Sequence, residues 1–378
     1  MRPICLSSRL NNQVHVFIIS CLLLIFSAQV HATPNPKTSF EEDSTQTKDP
    51  SLGQRSFAAT AALIPGLLIG GSGHWLIGQN ESAKALFWTK LSGTLGLLTM
   101  GSALATSGAS NLVTPWATPA LILSGASFVL PTALDLIGVW NSSKLAPHIP
   151  SVTSAPLLNG RGQTSLALIS AMRKTSLVAP HLLYGFSFGQ DLGQLAYQLG
   201  GSWSDKESRY ELRGERLCIR RSGWSLWCRL GATSHHFIES DVSLNQAELS
   251  FIAPLKLGSL LGASLSSMSA QLGVGWSGGA LTFAEESSDA FTGVIGGFRL
   301  TYHSLLDRLR TTVSYEHRHD DWVGGALVPG LGSGILGYIS STLSWRIFRV
   351  LWISIEASFG ASHLYTFNVE YSVGGESK

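Results

Sequence analysis

Charge is what this sequence has least of: 26 basic and 24 acidic residues among 378, or 13%, about half the ~25% of an ordinary soluble domain. A surface so poor in charge does not suit a soluble globule. Uninterrupted greasy runs are scarce too, because apolar residues reach only 44% while glycine rises to 40 residues, which argues against a plain bundle of membrane helices. Neither sign of charge prevails. Arg2 and Arg9 fall in a segment read below as a cleaved signal, leaving the signs balanced and no electrostatic case for nucleic acid. No Gly-Lys-Ser/Thr follows Gly71-Ser72-Gly73-His74 and no strand pattern precedes it, so that block reads as a helix–helix turn, with His74 capping or buried, rather than a phosphate loop.

What is present begins with an export signal. Arg2 and Arg9 precede an apolar run from Val14 to Phe26, and Val30-His31-Ala32 offers small residues at a signal-peptidase site, so residues 1–32 are expected to be a signal peptide. A lipoprotein box at Ile18-Ile19-Ser20-Cys21 is the competing reading, disfavoured by the leucines that follow. Beyond the signal only Cys218 and Cys228 remain of four cysteines. They flank Ser222-Gly223, a hairpin signal: a three-residue loop would set them opposite each other as a disulfide, a two-residue loop would put them out of register.

Residues 33–55 are rich in Pro, Ser, Thr and charge and read as a disordered linker. Residues 56–145 read as a Gly/Ala-rich helical module with about three apolar helices, Phe57–Ile69, Ser82–Thr106 and Thr118–Trp140. Leu91 to Leu134 carries no charge, but Gly, Ser, Thr and Pro115, Pro119 and Pro131 dilute it. Residues 146–180 form a connector, with Thr164–Ser176 open between helix and strand.

From His181 the hydrophobic period changes to two. Tyr365, Phe367, Val369, Tyr371 and Val373 alternate with Thr366, Asn368, Glu370 and Ser372, the cleanest of many such segments. Their length of about 9–14 residues suits a tilted bilayer crossing rather than an ordinary strand of ~5–6. The expected strands are 181–189, 193–203, 209–221, 224–236, 240–252, 255–266, 269–283, 291–303, 308–319, 335–347, 350–360 and 364–373. The fold class is therefore mainly β: a transmembrane antiparallel β-barrel of about 12 strands, range about 10–14, over residues 181–378, preceded by the helical module. The long connections Ala284–Ala290 and Asp320–Gly334 then fall on one side, the external one.

Ile64-Pro65-Gly66, Gly71-Ser72-Gly73-His74 and Gly78, paired with Tyr315-Glu316-His317-Arg318-His319-Asp320-Asp321 and Gly332-Ser333-Gly334, resemble uncharacterised Gram-negative envelope proteins in which a small helical module precedes an outer-membrane barrel. The resemblance implies an outer-membrane address and no particular activity; with it the expected reading places the module in the periplasm and takes outer-membrane lipid and the barrel-assembly machinery as partners. It says nothing of oligomeric state. The chain departs from such barrels in continuing past Tyr371 to Val-Gly-Gly-Glu-Ser-Lys.

Three sets of residues are candidates for chemistry. Gln194, Gln198, Arg299, His303, Arg310, Glu316, Arg318, Arg346, Glu356 and Glu370 alternate against apolar neighbours and should face the lumen, either as a salt-bridged plug or as a narrow polar channel. His317, His319 and Asp321 share one strand face and could coordinate a divalent metal, though an interfacial polar belt anchored by Trp322 is the blander and favoured reading, so no metal or other cofactor is expected. His235, His236 and His303 beside many serines could supply a Ser/His pair for lipid chemistry at the membrane surface, which would require an approach within ~3.2 Å and a third orienting group. The leading expectation is thus a structural or narrow-pore envelope barrel that is not an enzyme; a lipid-modifying enzyme and an inner-membrane helical anchor carrying a periplasmic β domain are the alternatives.

Overall fold

The computed structural model describes residues 50–108, 110, 113–141, 164–174, 180–239, 241–262, 265–282, 288–303, 308–317, 337–360 and 363–373. The expected signal peptide and most of the expected linker lie outside them. The chain divides into two compact units, one helical and one β.

The helical unit starts earlier than its composition suggested. Ser51 accepts from the Gln54 backbone while Gln54 caps the Ser51 N–H, a capping box that extends α1 over Leu52–Leu63 and takes Leu52 to Arg55 out of the linker. A 3₁₀ turn at Pro65–Leu67 and a short helix α2, Ser72–Leu76, follow. Gly71, at φ 85°, makes the left-handed entry to α2 that a side chain would resist. The long helices α3 (Asn80–Thr106) and α4 (Thr114–Asn141) pack through small residues: a Cβ on Gly93 would meet the Phe128 backbone nitrogen at 2.6 Å, and one on Gly96 would collide with Ser124. Pro119 and Pro131 lie inside α4 without ending it.

Twelve antiparallel strands make the second unit: β1 (Thr164–Lys174), β2 (His181–Asp191), β3 (Leu195–Trp203), β4 (Glu207–Arg221), β5 (Trp224–Phe237), β6 (Val242–Lys256), β7 (Met268–Thr282), β8 (Ser288–His303), β9 (Leu309–His317), β10 (Tyr338–Phe348), β11 (Leu351–Phe359) and β12 (His363–Val373). Each pairs with the next, and β1 pairs with β12 from Thr164↔Val373 to Lys174↔His363, closing the barrel. No sheet edge is left open. The first residue of β1 and the last of β12 therefore share one rim, called the near rim here; the connection after every odd-numbered strand lies at the far rim. Outward residues are Leu166, Leu168, Tyr184, Leu212, Ile355, Phe367 and their like, all exposed, whereas glycine, serine and charge point inward. This is a soluble protein's polarity turned inside out, and it suits lipid outside.

The expected strand number was right for partly wrong reasons. Thr164–Lys174 is a strand, so the barrel begins before residue 181; Leu166, Leu168 and Met172 face out while Ala167, Ile169 and Ala171 face in, and apolar residues on both faces blurred the period. The strand expected over 255–266 does not form among the described residues beyond Lys256. Pairing of β6 runs to Lys256; Leu257, Leu260 and Leu261 then follow helical spacing in a short helix, α5 (Leu257–Leu261), before Gly262 at φ 121°. One strand gained and one lost leave the strands from β7 onward in their expected directions, but those from 181 to 252 run opposite to the expected sense.

Of the two readings of the cysteines, the structure takes the one with the shorter loop. The β4–β5 turn is the two-residue Ser222-Gly223, Cys228 stands opposite Arg216, and Cys218 lies in a bulge between Leu217 and Ile219. Both thiols are free. Alkylation without reductant, followed by peptide mapping, is therefore expected to modify both Cys218 and Cys228 in the denatured chain; a peptide pair joined until reduction would contradict this.

Candidate functional site: the barrel lumen

The inward face of β4 carries charge at every second position: Glu207, Arg209, Glu211, Arg213 and Glu215. With side chains alternating at period two, all five project into the lumen. Arg209 Nη2 is 3.3 Å from Glu211 Oε2, and Arg213 also pairs with Glu211. From β5, Arg229 Nε donates to Glu215 Oε1 at 2.7 Å. Opposite them, Arg299 Nη2 lies 3.9 Å from Glu316 Oε1, and Tyr338 donates to Glu316 Oε2 at 2.6 Å. Arg310 and Arg346 both lie over the Trp352 ring, at 4.6 and 5.6 Å from its centroid, which holds two like charges against an aromatic face. Between the walls is a cavity of about 560 Å³ lined by Gln198, Arg213, Glu248, Gln271, Arg299, Glu356, Asn368 and Glu370 among others.

Toward the far rim the lumen holds a tighter cluster. Glu207 accepts from Arg173 Nη1 at 3.2 Å on each oxygen, from His181 Nε2 at 2.9 Å and from His235 Nε2 at 2.7 Å. All four side chains are buried, and the His235 ring lies 4.0 Å from that of Phe237. Four strands, β1, β2, β4 and β5, meet in this one carboxylate. A buried charge is tolerated only when compensated, and here a guanidinium and two imidazole donors do so.

The residues expected in the lumen divide three ways. Gln198, Arg299, His303, Arg310, Glu316, Arg346, Glu356 and Glu370 occupy inward registers on β3, β8, β9, β10, β11 and β12. Gln194 is instead in the exposed near-rim turn, its carbonyl accepting from Leu217 N–H, because β3 begins only at Leu195. Arg318 lies outside the described residues. The Arg173–Glu207–His181–His235 cluster and the β4 charge ladder went unnoticed in the sequence. The ladder was legible, since five charged residues at strict i, i+2 spacing have no counterpart elsewhere in the chain; the cluster was not, since its members come from separate strands.

His317 ends β9 on the outward register, while His319 and Asp321 lie outside the described residues; among the described residues no three His, Cys, Asp or Glu side chains could hold a metal. His235 is in the Glu207 cluster and His303 is buried on the inward side. His236 Nδ1 does come within 2.8 Å of Ser243 Oγ, on the outer face at the far rim. Among the described residues no carboxylate or amide orients that imidazole, so the third member of a hydrolytic arrangement is not supplied.

No family model matches the chain, and no curated protein matches its sequence. Among solved structures the barrel is similar to a KdgM porin in complex with disordered oligogalacturonate, at 10% identity and a TM-score of 0.38, covering 55% of this chain and 98% of that one. A NanC porin is similar at 7% identity and 0.39, covering 55% and 98%, and the Acinetobacter baumannii outer membrane protein Omp33 at 8% and 0.31, covering 56% and 99%. These likenesses reach the barrel and no further.

Proposed function

We propose that the protein is an outer-membrane barrel acting as a narrow, polar, charge-balanced pore. The observation that carries this reading is the open volume of about 560 Å³ left between two walls of paired arginine and glutamate: a plug of side chains would fill the lumen, whereas here the charges pair along the walls and leave space between them. With the even strand number, the near rim and both barrel ends lie on the periplasmic side and the far rim outside. The longest connection, from His317 to Tyr338, is then external. Interleaved signs give the lumen little net field, so the pore discriminates weakly between anions and cations and suits small polar solutes.

Planar-bilayer recording tests this. The purified full chain is expected to give discrete, small conductance steps with weak ion selectivity. Arg299→Ala is expected to move the preference toward cations, and Glu248→Gln toward anions, each by about twofold or more. A barrel that migrates compactly on gels before boiling yet gives no steps would establish a sealed scaffold instead.

A further inference from the structure

We infer that the helical unit, residues 52–141, is itself embedded in lipid, its outer surface the docking face for acyl chains rather than for water. The inference rests on how the unit sorts its residues. Inside it are a histidine, a lysine and an aspartate: Gly73 N–H and His74 N–H donate to Asp135 at 3.0 and 2.9 Å, His74 Nδ1 lies 2.6 Å from Asp135 Oδ1, and Lys90 Nζ donates to Gly66 O at 2.6 Å. Outside it are Phe57, Ile64 and Leu68, then Leu95, Leu98 and Val129 on the long helices, the last three 55%, 63% and 51% exposed. A water-facing unit would do the reverse. Ionisable residues turned inward and paired, with small residues at the helix contact, are what a bilayer requires of helices.

The length and ends of α3 and α4 identify lipid as the occupant. At 1.5 Å per residue each helix is about 40 Å long, enough for a hydrocarbon core of about 30 Å; of the described helices only α4 is also apolar enough throughout to cross one, Trp116–Trp140 having a mean hydropathy of 1.8, while α3 presents an apolar outer face. Charge lies at one end only, with Glu81 and Lys84 exposed in the first turns of α3. Trp75, Trp88 and Trp140 are exposed near that same end, at the level where aromatic residues meet a membrane interface. Beyond it, Leu91 to Leu134 is free of charge. A protein partner would be expected to meet some polar specificity on such a face; acyl chains need none.

The test uses the full chain with all native cysteines changed to serine, reconstituted into phosphatidylethanolamine/phosphatidylglycerol vesicles. Single spin labels are placed through Leu98→Cys, Val129→Cys, Glu81→Cys and, on the barrel's outer face, Phe367→Cys. At positions 98 and 129, relaxation by a water-soluble nickel chelate is expected about tenfold below that at 81, with oxygen relaxation matching that at 367. Nickel relaxation at 98 and 129 equal to that at 81 would overturn the inference, as would shielding from both relaxants, which means protein covers the face. Water exposure at 367 alone would instead count against barrel insertion. A lipid-soluble carbene probe on the unlabelled wild-type chain checks against misfolding: labelled peptides covering 95–98 and 129 are expected, and their absence beside labelled barrel peptides would again overturn it.

Discussion

Replacing Asp135 by Ala is expected to unfold the helical unit while the barrel keeps its compact migration on unboiled gels. The carboxylate is fully buried and accepts from two backbone N–H groups and the His74 ring. Its loss removes the acceptor that these donors share and takes the nearby negative charge from buried Lys90, whose remaining acceptors, Gly66 O and Thr132 Oγ1 at 2.5 Å, are neutral. Breaking such a buried set by removing one member costs about 3–5 kcal/mol, a large part of what a unit of this size has to lose. Asp135→Asn keeps one carbonyl oxygen for the backbone donors and should fall between the two. Limited proteolysis and hydrogen exchange across residues 52–141 read the effect; protection in Asp135→Ala equal to wild type would show that the polar core is dispensable.

The second large effect is expected at Glu207. Glu207→Ala removes the carboxylate that accepts from the Arg173 guanidinium, 5% exposed, and from the His181 and His235 rings. About 3–5 kcal/mol is again at stake, lowering the temperature at which the barrel unfolds on gels by on the order of 10 °C. The lumen should also widen at the far rim, so conductance steps larger than wild type are expected from the surviving barrels. The paired replacement Arg173→Met with Glu207→Leu removes both charges together. It should recover most of the lost stability, because the penalty comes from keeping a buried cation after its carboxylate is removed rather than from the absence of a salt bridge. If the double replacement is as unstable as Glu207→Ala alone, shape rather than charge pairing holds the cluster.

Much of the architecture was legible in the residue order, and particular segments explain where legibility stopped. The β12 alternation from Tyr365 to Val373 could be read directly, because adjacent side chains in a strand point to opposite faces and lipid and lumen demand opposite chemistry. The same rule placed Gln198, Arg299, Arg310 and Glu370 on the inner wall. It left Thr164–Lys174, whose inner face is Ala167, Ile169 and Ala171, open between helix and strand, and it did not reveal that Leu257, Leu260 and Leu261 would take up helical spacing between two strands.

The sequence by itself determined the class: low charge, period-two segments of membrane-crossing length, and a charge-free helical stretch ahead of them. Periodicity is local, written in neighbours two to four positions apart, and survives any long-range arrangement. Only the tertiary structure decided which segment closes the barrel and which charges meet. Thr164 pairs with Val373 across the whole β unit, Glu207 gathers donors from 26 to 34 positions away, and Asp135 reaches back 61 and 62 positions to His74 and Gly73. Such partners are fixed by strand register and helix packing. A side chain's identity limits what it can bond to, but the closure of the sheet and the crossing of the helices decide what is within reach.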